Sequence, residues 1–343
     1  MDSIAPHVRQ NTRRWVLIVS VSILSIGFIV LITLGYLFNW SWTGLNEFVG
    51  PNVRQYQPTK SLWDWMQLLI IPIVLAGTVF LFNLAMKRSE LAIEQQRYDR
   101  EQMIAEDKQR EELLQGYLDR MADLLLDKSL RSSKRKAEAR DIARARTLTV
   151  LPRLDSNRKG SLIKFIYESG LIYDDKVGSI IDLSEADLSG ANLEGVNLSG
   201  ANLTKANLKN AKLNGARLSS ANLTGVDLSG AELIGAKLIE TNLTESNLSS
   251  ANLTGTTLVN ANLYQARLIE VNLHSVNLNG ANLTGVDLRY SDMSMATMKR
   301  ANIHEAYLSG ILLDQADFEG VVFSAEQIDQ IKQKNPHWFD SKG

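Results

Sequence analysis

The stretch "ANLTGVDLSG AELIGAKLIE TNLTESNLSS ANLTG", residues 221–255, has a leucine at every fifth position and a small residue two positions before each leucine. An α-helix repeats every 3.6 residues and a strand every two, so neither explains a period of five. One large and one small inward side chain per pentad fit a chain that turns a corner in every pentad. The stretch therefore predicts a coil with regular corners.

The same pattern covers much of the chain. From Ile181 to Ala325 the sequence divides into 29 consecutive pentads without an insertion. The central residue is Leu in 24 of them, and the small residue departs from Ala, Val, Ser or Thr only at Ile181 and Ile311. A register of this length predicts one repeat domain over 181–325.

A second, longer period predicts how many corners make one coil. After Asp182, asparagine recurs in every fourth pentad, at Asn202, Asn222, Asn242, Asn262, Asn282 and Asn302. Four pentads per coil place these side chains on one side, where their amides can hydrogen-bond from coil to coil. The coils would stack at about 4.8 Å, the spacing of paired strands. The sequence therefore predicts a four-sided solenoid.

Runs such as "ADLSGANLEG" (186–195) and "ANLTGVDLSG" (221–230) resemble the pentapeptide-repeat family. The resemblance implies an all-β, right-handed quadrilateral β-helix, and the family it points to is mostly without assigned activity. The part before the repeats, including "RARTLTVLPRLDSNRKGSLIKFIYESGLI" (144–172), is similar to membrane-anchored pentapeptide-repeat proteins of cyanobacteria. The expected fold is this β-helix, preceded by two transmembrane α-helices and a helical stalk.

Two uncharged runs in the N-terminal part of the chain predict membrane-spanning helices. Residues 15–38 and 66–86 are each long enough to cross about 30 Å of hydrocarbon as a helix. The first run is too long for the apolar part of a signal peptide, and no A-x-A site follows it. The loop between them, 39–65, contains tryptophans typical of a membrane interface, namely Trp40, Trp42, Trp63 and Trp65.

Basic residues set the predicted orientation. They flank the outer ends of both spans, at Arg9, Arg13, Arg14, Lys87 and Arg88, whereas the charges of the loop balance. We therefore expect an integral protein of the plasma (inner) or thylakoid membrane. Its N-terminal segment 1–14 and its C terminus would be cytoplasmic, and the loop 39–65 would be external.

Residues 87–150 predict a charged helical stalk. From residue 87 to about 127 the segment contains good helix formers, no proline, and Gly116 as its only glycine. Four apolar residues form a short heptad-like stripe, namely Leu114, Leu118, Met121 and Leu125. We expect a homo-oligomer, formed through this coiled-coil stripe or through the membrane helices.

The charge reverses over residues 128–146, which contain eight basic and two acidic residues. A solvated helix face is one interpretation. The other is contact with anionic lipid or an acidic partner, which polybasic segments near a membrane attract. The candidate residues for that contact are Lys134, Arg135, Lys136, Arg140 and Arg144.

Both ends of the predicted solenoid are expected to be covered. Residues 151–180 would form a helical N-terminal cap, with Asp155 or Ser156 as helix N-cap. Its apolar face would consist of Leu162, Ile163, Phe165 and Ile166. At the other end, Ser324 is expected to cap a helix within the C-terminal segment 326–343, whose Ile328 and Ile331 would cover the last coil.

No catalytic, cofactor or metal site is predicted. The chain has no cysteine and four histidines. Only His274 and His304 lie in the repeats, and their spacing of six pentads places them on opposite sides. Carboxylates occur singly, without a pair suited to acid–base work.

Apolar residues that interrupt the polar outer pattern predict a partner surface in the middle of the repeats. The candidates are Ile234, Lys237, Ile239, Val259 and Tyr264. Ile239 and Val259 are four pentads apart and should stack on one side.

The function expected from these features is a membrane-anchored, non-catalytic platform that binds or assembles protein partners. One alternative is an oligomeric two-span channel with a sensory repeat domain. A second is a DNA-mimic regulator of gyrase, a role known for some members of the family that the repeats resemble. The net charge of −6 over residues 181–320 is spread over all sides, so the continuous acidic surface of a DNA mimic is not expected. No nucleic-acid partner is expected either, because the basic segment 128–146 lacks interleaved aromatic residues.

Overall fold

The computed structural model describes residues 62–126, 130–133, 138–172 and 179–335, with the backbone alone at 62–71 and Ser132. The predicted segment 1–14, the span 15–38, most of the loop 39–65, and the tail after 335 lie outside the described residues. The chain divides into two compact units, Met1–Arg100 and Glu101–Gly343. Among the described residues, no helix is long and apolar enough to cross a membrane.

The helices flank the repeats in the sequence. They are α1 (Leu62–Leu126), α2 (Glu138–Val150), α3 (Ser156–Glu168) and α4 (Ala325–Lys332), with short 3₁₀ turns at Leu130–Ser132 and Leu151–Arg153. Within the predicted stalk 87–150, α1 ends at Leu126 and α2 begins as a separate helix at Glu138.

The repeats form a four-sided solenoid. Parallel bridges pair residues four pentads apart, from Asp187 with Asn207 to Thr297 with Asp317. At each bridge the two neighbouring coils both donate and accept a backbone hydrogen bond. For example, Leu188 N donates to Asn207 O (2.8 Å), and Asn207 N donates to Ala186 O (2.9 Å). The predicted coil of four pentads is confirmed, although each pentad contributes one bridged residue rather than an extended strand.

Every corner of the solenoid is a tight turn with one left-handed residue. From 185 to 320, each fifth residue has φ between 54° and 76°, as at the third position of a type II turn. Ala191 N closes one such turn on Leu188 O at 3.1 Å. Many corners are not glycine, as Glu245 (φ 56°) shows. The coil tolerates this cost of about 1–2 kcal/mol per residue because the ladder holds each corner from both sides.

The interior is a dry stack of leucines. From Leu183 to Phe318 the central residues and their small neighbours are almost fully buried, apart from the half-buried Val196. Where the small residue is polar, its hydroxyl donates a hydrogen bond to a backbone carbonyl. Thr241 Oγ1 donates to Leu218 O (2.8 Å), and Ser291 Oγ donates to Leu268 O (2.5 Å). These buried hydroxyls are hydrogen-bonded to the backbone and are not available to bind or react with a ligand.

Helix α3 closes the N-terminal end, as predicted. Asp155 caps it by accepting from the backbone of Asn157 and Arg158, and Leu162, Ile163 and Ile166 are fully buried. The contact is backbone to backbone, because Asn192 N donates to Ser156 O at 2.9 Å. A Cβ on Gly160 would overlap the carbonyl of Asn192, which explains the glycine there.

The apolar stripe of α1 is covered by the chain's own residues. Leu114 and Met121 belong to the buried core, and Leu118 and Leu125 are packed against it. Tyr117 contacts Phe165 of α3 edge to face, with ring centroids 6.5 Å apart. Leu114 and Met121 are therefore occupied within the chain, and the homo-oligomer through the stalk or the membrane helices stays a prediction.

Helix α4 closes the C-terminal end. Ser324 forms a capping box with Gln327, as its predicted N-cap role requires. Ile331 is fully buried, and Gln327 is buried as well. Gln327 Nε2 donates to Ile303 O (2.8 Å) and Ala306 O (3.2 Å). Ile328, predicted to share the covering, is only half-buried.

Candidate interaction surface

One side of the solenoid carries the predicted ladder of asparagines. Asn282 Nδ2 donates to Asn262 Oδ1 at 2.9 Å. Asn262 Nδ2 donates to Thr244 Oγ1 at 2.9 Å, and that hydroxyl donates to Asn242 Oδ1 at 2.7 Å. The amides and hydroxyls satisfy one another, so this side offers few free polar groups to a ligand.

The predicted partner surface does not form one patch. Ile239 and Val259 stack on one side, as expected, but both are half-buried. Lys237 lies on the same side, bridged to Thr257. Ile234 (45% exposed) and Tyr264 (39% exposed) are more accessible, but they lie on the two sides that flank this one.

A larger exposed surface lies in the last two coils. Tyr290, Tyr307 and Leu312 are 62%, 55% and 47% exposed. Together with Arg289 they surround one corner of the solenoid, and we call these four residues the tyrosine patch. Tyr307 is bridged to Asp287, and Leu312 to Asp292, in the coil below. Met295, exposed at the next corner, extends the apolar surface.

The side chains of the tyrosine patch are held in place. The ring of Tyr290 lies over Gly310, where an added Cβ would be 2.5 Å from Tyr290 Cδ1. Arg289 binds Asp287 through two hydrogen bonds of 2.8 and 2.7 Å. These bonds hold the pKa of Asp287 below its usual value, against the raising effect of burial, and the carboxylate raises the pKa of Arg289.

Sequence reasoning missed the tyrosine patch, although a signal existed. Position 290 is a left-handed corner, and positions 307 and 312 are bridging positions that elsewhere carry mostly polar residues. Bulky residues there cannot enter the core and must face outward.

The described arginines of the predicted basic contact bind groups of the chain itself. Arg140 is buried and donates to Ser133 O at 2.6 Å. Arg144 donates to the carbonyls of Asp182 (3.2 Å) and Ser184 (3.0 Å) on the first coil. The prediction of a lipid or partner contact is therefore wrong for these two arginines. Lys134, Arg135 and Lys136 lie outside the described residues.

Lys159, in α3, belongs to the N-terminal cap. Lys159 is buried, donates to Ser189 O at 2.9 Å and lies 3.7 Å from Asp187. Burial acts to raise the pKa of Asp187, but bonds from Ser189 and the nearby ammonium outweigh it and lower the pKa. Within the described ranges, no group of three His, Asp or Glu side chains could hold a metal ion.

These features define a four-sided β-solenoid of five-residue repeats with a filled interior and a surface suited to contact. The family model for pentapeptide repeats matches the chain in eight copies, at residues 181–219, 211–249, 246–285 and 266–304. The chain belongs to the pentapeptide repeat family.

Solved structures of the family resemble the repeat region. HetL, a pentapeptide repeat protein involved in heterocyst differentiation regulation from the cyanobacterium Nostoc sp. strain PCC 7120, is 31% identical over 42% of this chain and 83% of that chain, with a TM-score of 0.25. Rfr23 from the cyanobacterium Cyanothece 51142 is 30% identical over 33% and 63%, with a TM-score of 0.15. A trypsin-treated form of QnrB1, a plasmid-mediated fluoroquinolone resistance protein, is 19% identical over 46% and 87%, with a TM-score of 0.29. Among curated proteins, none matches the chain.

Proposed function

We propose that the protein is a non-catalytic platform for binding a protein partner, and that the partner contacts the tyrosine patch. The observation that carries the proposal is the exposure of Tyr290, Tyr307 and Leu312 around one corner. Tyrosine and arginine are enriched among the residues that dominate interface energies. Because the ring of Tyr290 and the guanidinium of Arg289 are already held, little side-chain entropy is lost on binding.

The charge of the patch favours a protein partner over a role as DNA mimic. A DNA mimic needs a continuous acidic surface, whereas the column that contains Tyr307 also contains Arg267, bridged to Asp287. Arg289 is paired with Asp287, so Arg267 is the cation that interrupts the acidic residues of this column. The proposed partner therefore presents an apolar surface with acidic residues at its edge.

We further propose that the spans 15–38 and 66–86 anchor the platform in a membrane, with both termini cytoplasmic. Two uncharged runs and the basic residues outside them support this proposal. Anchoring would confine the platform to a surface and raise the effective concentration of a partner held there.

Single-cysteine labelling tests the anchoring, because the chain has no cysteine of its own. In intact cells, Gly50→Cys should react with an impermeant thiol reagent and Ser341→Cys should not. The opposite pattern contradicts the orientation, and release of the protein by alkaline carbonate contradicts the anchor.

Site-specific cross-linking tests the binding surface. p-Benzoylphenylalanine at position 307 should cross-link one defined protein in cells, and the same residue at position 244, on the asparagine side, should not. The variant Tyr290→Ser/Tyr307→Asn should abolish the recovery of that protein. Ser and Asn occupy the equivalent positions at Ser250 and Asn247, so the solenoid should be unaffected.

The predicted surface in the middle of the repeats supplies the matched comparison. Ile239→Ser/Val259→Ser also removes two apolar side chains, from half-buried positions. If this variant loses the partner while the tyrosine variant keeps it, the contact lies in the middle of the solenoid. Ion conductance by the purified protein, with no cross-linked partner, would favour the channel instead.

A further inference from the structure

A groove outside the solenoid has the features of a second binding site. It has a volume of about 390 Å³ and lies between α1, at 112–120, and the segment 145–153 of α2 and the following turn. Its floor includes Leu113, Gly116 and Val150, with the buried ring of Tyr117 beneath. The lining is mainly apolar, yet the groove is open to solvent.

Gly116 keeps the groove open. After proline, glycine is the residue least favourable to a helix interior, and Gly116 is the only glycine of α1 beyond Gly77. A Cβ at Gly116 would meet no atom within 4 Å, so the fold itself does not require a glycine there. A small residue at this place would allow the backbone of another element to approach closely.

Arginines line both walls of the groove. Arg120 lies on the α1 wall, and Arg146 and Arg153 lie on the opposite wall. In the part of the chain that the structure describes, no carboxylate lies within ion-pair distance of any of the three. The neighbouring Arg144 and Arg158 are, by contrast, fully engaged. Glu112 also lines the α1 wall, where its carboxylate is 3.8 Å from Lys108. With three arginines and one carboxylate, the groove combines an apolar floor with a net positive charge.

We propose that this groove binds an acidic amphipathic helix of a partner protein. The apolar face of that helix would contact Leu113, Val150 and the space at Gly116, and its carboxylates would bind the arginines. Residues 112–120 extend about 12 Å, so about two turns of the partner would be in contact. Arg146 lies in the last turn and a half of α2, and Arg153 ends the 3₁₀ turn that follows α2. A helix with several acidic residues can present a carboxylate to each wall, whereas a lipid phosphate is a single anionic group.

Fluorescence anisotropy with a designed peptide tests the proposal. The probe is a labelled 14-residue helix with Leu on one face and Glu on the other, and the comparison peptide has Lys in place of Glu. The full-length protein is held in phosphatidylcholine nanodiscs, with empty nanodiscs as the blank. The Glu peptide should bind at least tenfold more tightly than the Lys peptide. Equal binding of the two peptides, or no binding above the blank, overturns the proposal.

Two variants localise the binding to the groove. Gly116→Leu fills the open space, and Arg146→Gln/Arg153→Gln removes the charge; each should weaken binding of the Glu peptide at least tenfold. Arg217→Gln/Arg300→Gln removes the same charge from the solenoid and should leave binding unchanged. Thermal unfolding of each variant must match the parent protein, and where it does not, Gly116→Ala and the single Arg146→Gln replace it.

Gly116→Leu also tests whether a second copy of the chain occupies the groove. Sedimentation of the protein without peptide should show the same mass for the parent and Gly116→Leu. A dimer that forms in the parent and is lost in Gly116→Leu would show that the groove binds another copy, and would overturn the proposal of an acidic partner helix.

Discussion

The two ends of the solenoid are closed by different chemistry. At the N-terminal end, cations bind the free carbonyls of the first coil: Arg144 binds those of Asp182 and Ser184, and Lys159 binds that of Ser189. At the C-terminal end, neutral amides do this work. Gln327 donates to two carbonyls, while Gln330 Oε1 accepts from Leu308 N at 2.8 Å.

The difference follows from which backbone groups each edge leaves open. Arginine and lysine can only donate, whereas a side-chain amide can donate and accept. Asn335 does both, accepting from Leu313 N (3.1 Å) and donating to Ile311 O (2.9 Å). At the first coil the backbone N–H of Asn192 already donates to a carbonyl of α3. The capping side chains there therefore need only to donate to carbonyls. The comparison shows that each cap is matched to the groups it must satisfy.

The largest effect should come from breaking the coil register between the two ends. Deleting residues 241–260 removes one whole coil and should leave a shorter folded solenoid with both caps in place. Deleting 241–243 moves every later leucine out of phase and should expose the core. Circular dichroism melting and limited proteolysis measure both. If the two deletions behave alike, the four-pentad register is wrong.

The N-terminal contact should be the more sensitive of the two ends to added volume. Gly160→Ala places a methyl group into the carbonyl of Asn192 and should lower the free energy of unfolding by about 3 kcal/mol. Gly116→Ala is the matched control, since its Cβ meets nothing, and it should gain up to about 1 kcal/mol. Denaturant unfolding measures both, and a stabilising Gly160→Ala would contradict the close contact.

The C-terminal end should depend on one amide. Gln327→Ala removes the donor for Ile303 O and Ala306 O and should cost about 2 kcal/mol. Hydrogen exchange should become faster in the last coil and stay unchanged in the first. Gln333→Ala, at the exposed C-cap position of the same helix, is the control. Equal effects of the two variants would show that the amide does not close the edge.

The smallest effect on stability should appear at alkaline pH, where Tyr117 of α1 packs against the N-terminal cap. Burial raises the pKa of Tyr117 to about 12, although its hydrogen bond to Thr147 (2.9 Å) acts in the opposite direction. Because the pKa of Tyr117 is higher in the folded protein than the ordinary value of 10.0, its phenol group contributes stability that is fully present below pH 10. This contribution is lost as the pH rises toward 12. The loss at pH 11 should be about 1.4 kcal/mol.

Tyr117→Phe isolates this contribution, because it removes the ionisable group and leaves the ring. The variant and the parent protein should converge in stability between pH 9 and pH 11 in urea unfolding. Parallel pH profiles for the two proteins would contradict the assigned pKa.

The success of sequence reasoning depended on how local each feature is. The solenoid and its coil length could be predicted because the inward leucines and the asparagine column repeat along the chain itself. The helix caps Asp155 and Ser324 were predictable for the same reason, since capping involves residues two or three positions apart. The membrane spans remain a prediction from composition.

Features that depend on distant residues could not be predicted in this way. Arg144 looked like a surface charge because its partners, Asp182 and Ser184, are far away in the sequence. The stripe on α1 looked available because nothing in its own sequence shows that α3 covers it. The tyrosine patch combines residues from two coils, and only their stacking brings them to one corner.

The sequence by itself determined the repeat, its register and the identity of the inward residues, because a period of five with one large and one small apolar position allows a single way to bury them. Only the tertiary structure decided what closes the ends, which arginines are engaged, and which side chains remain exposed. These outcomes depend on pairing between segments far apart in the chain, where a carbonyl, a cation or an apolar face acquires its role from whatever neighbour folding brings to it.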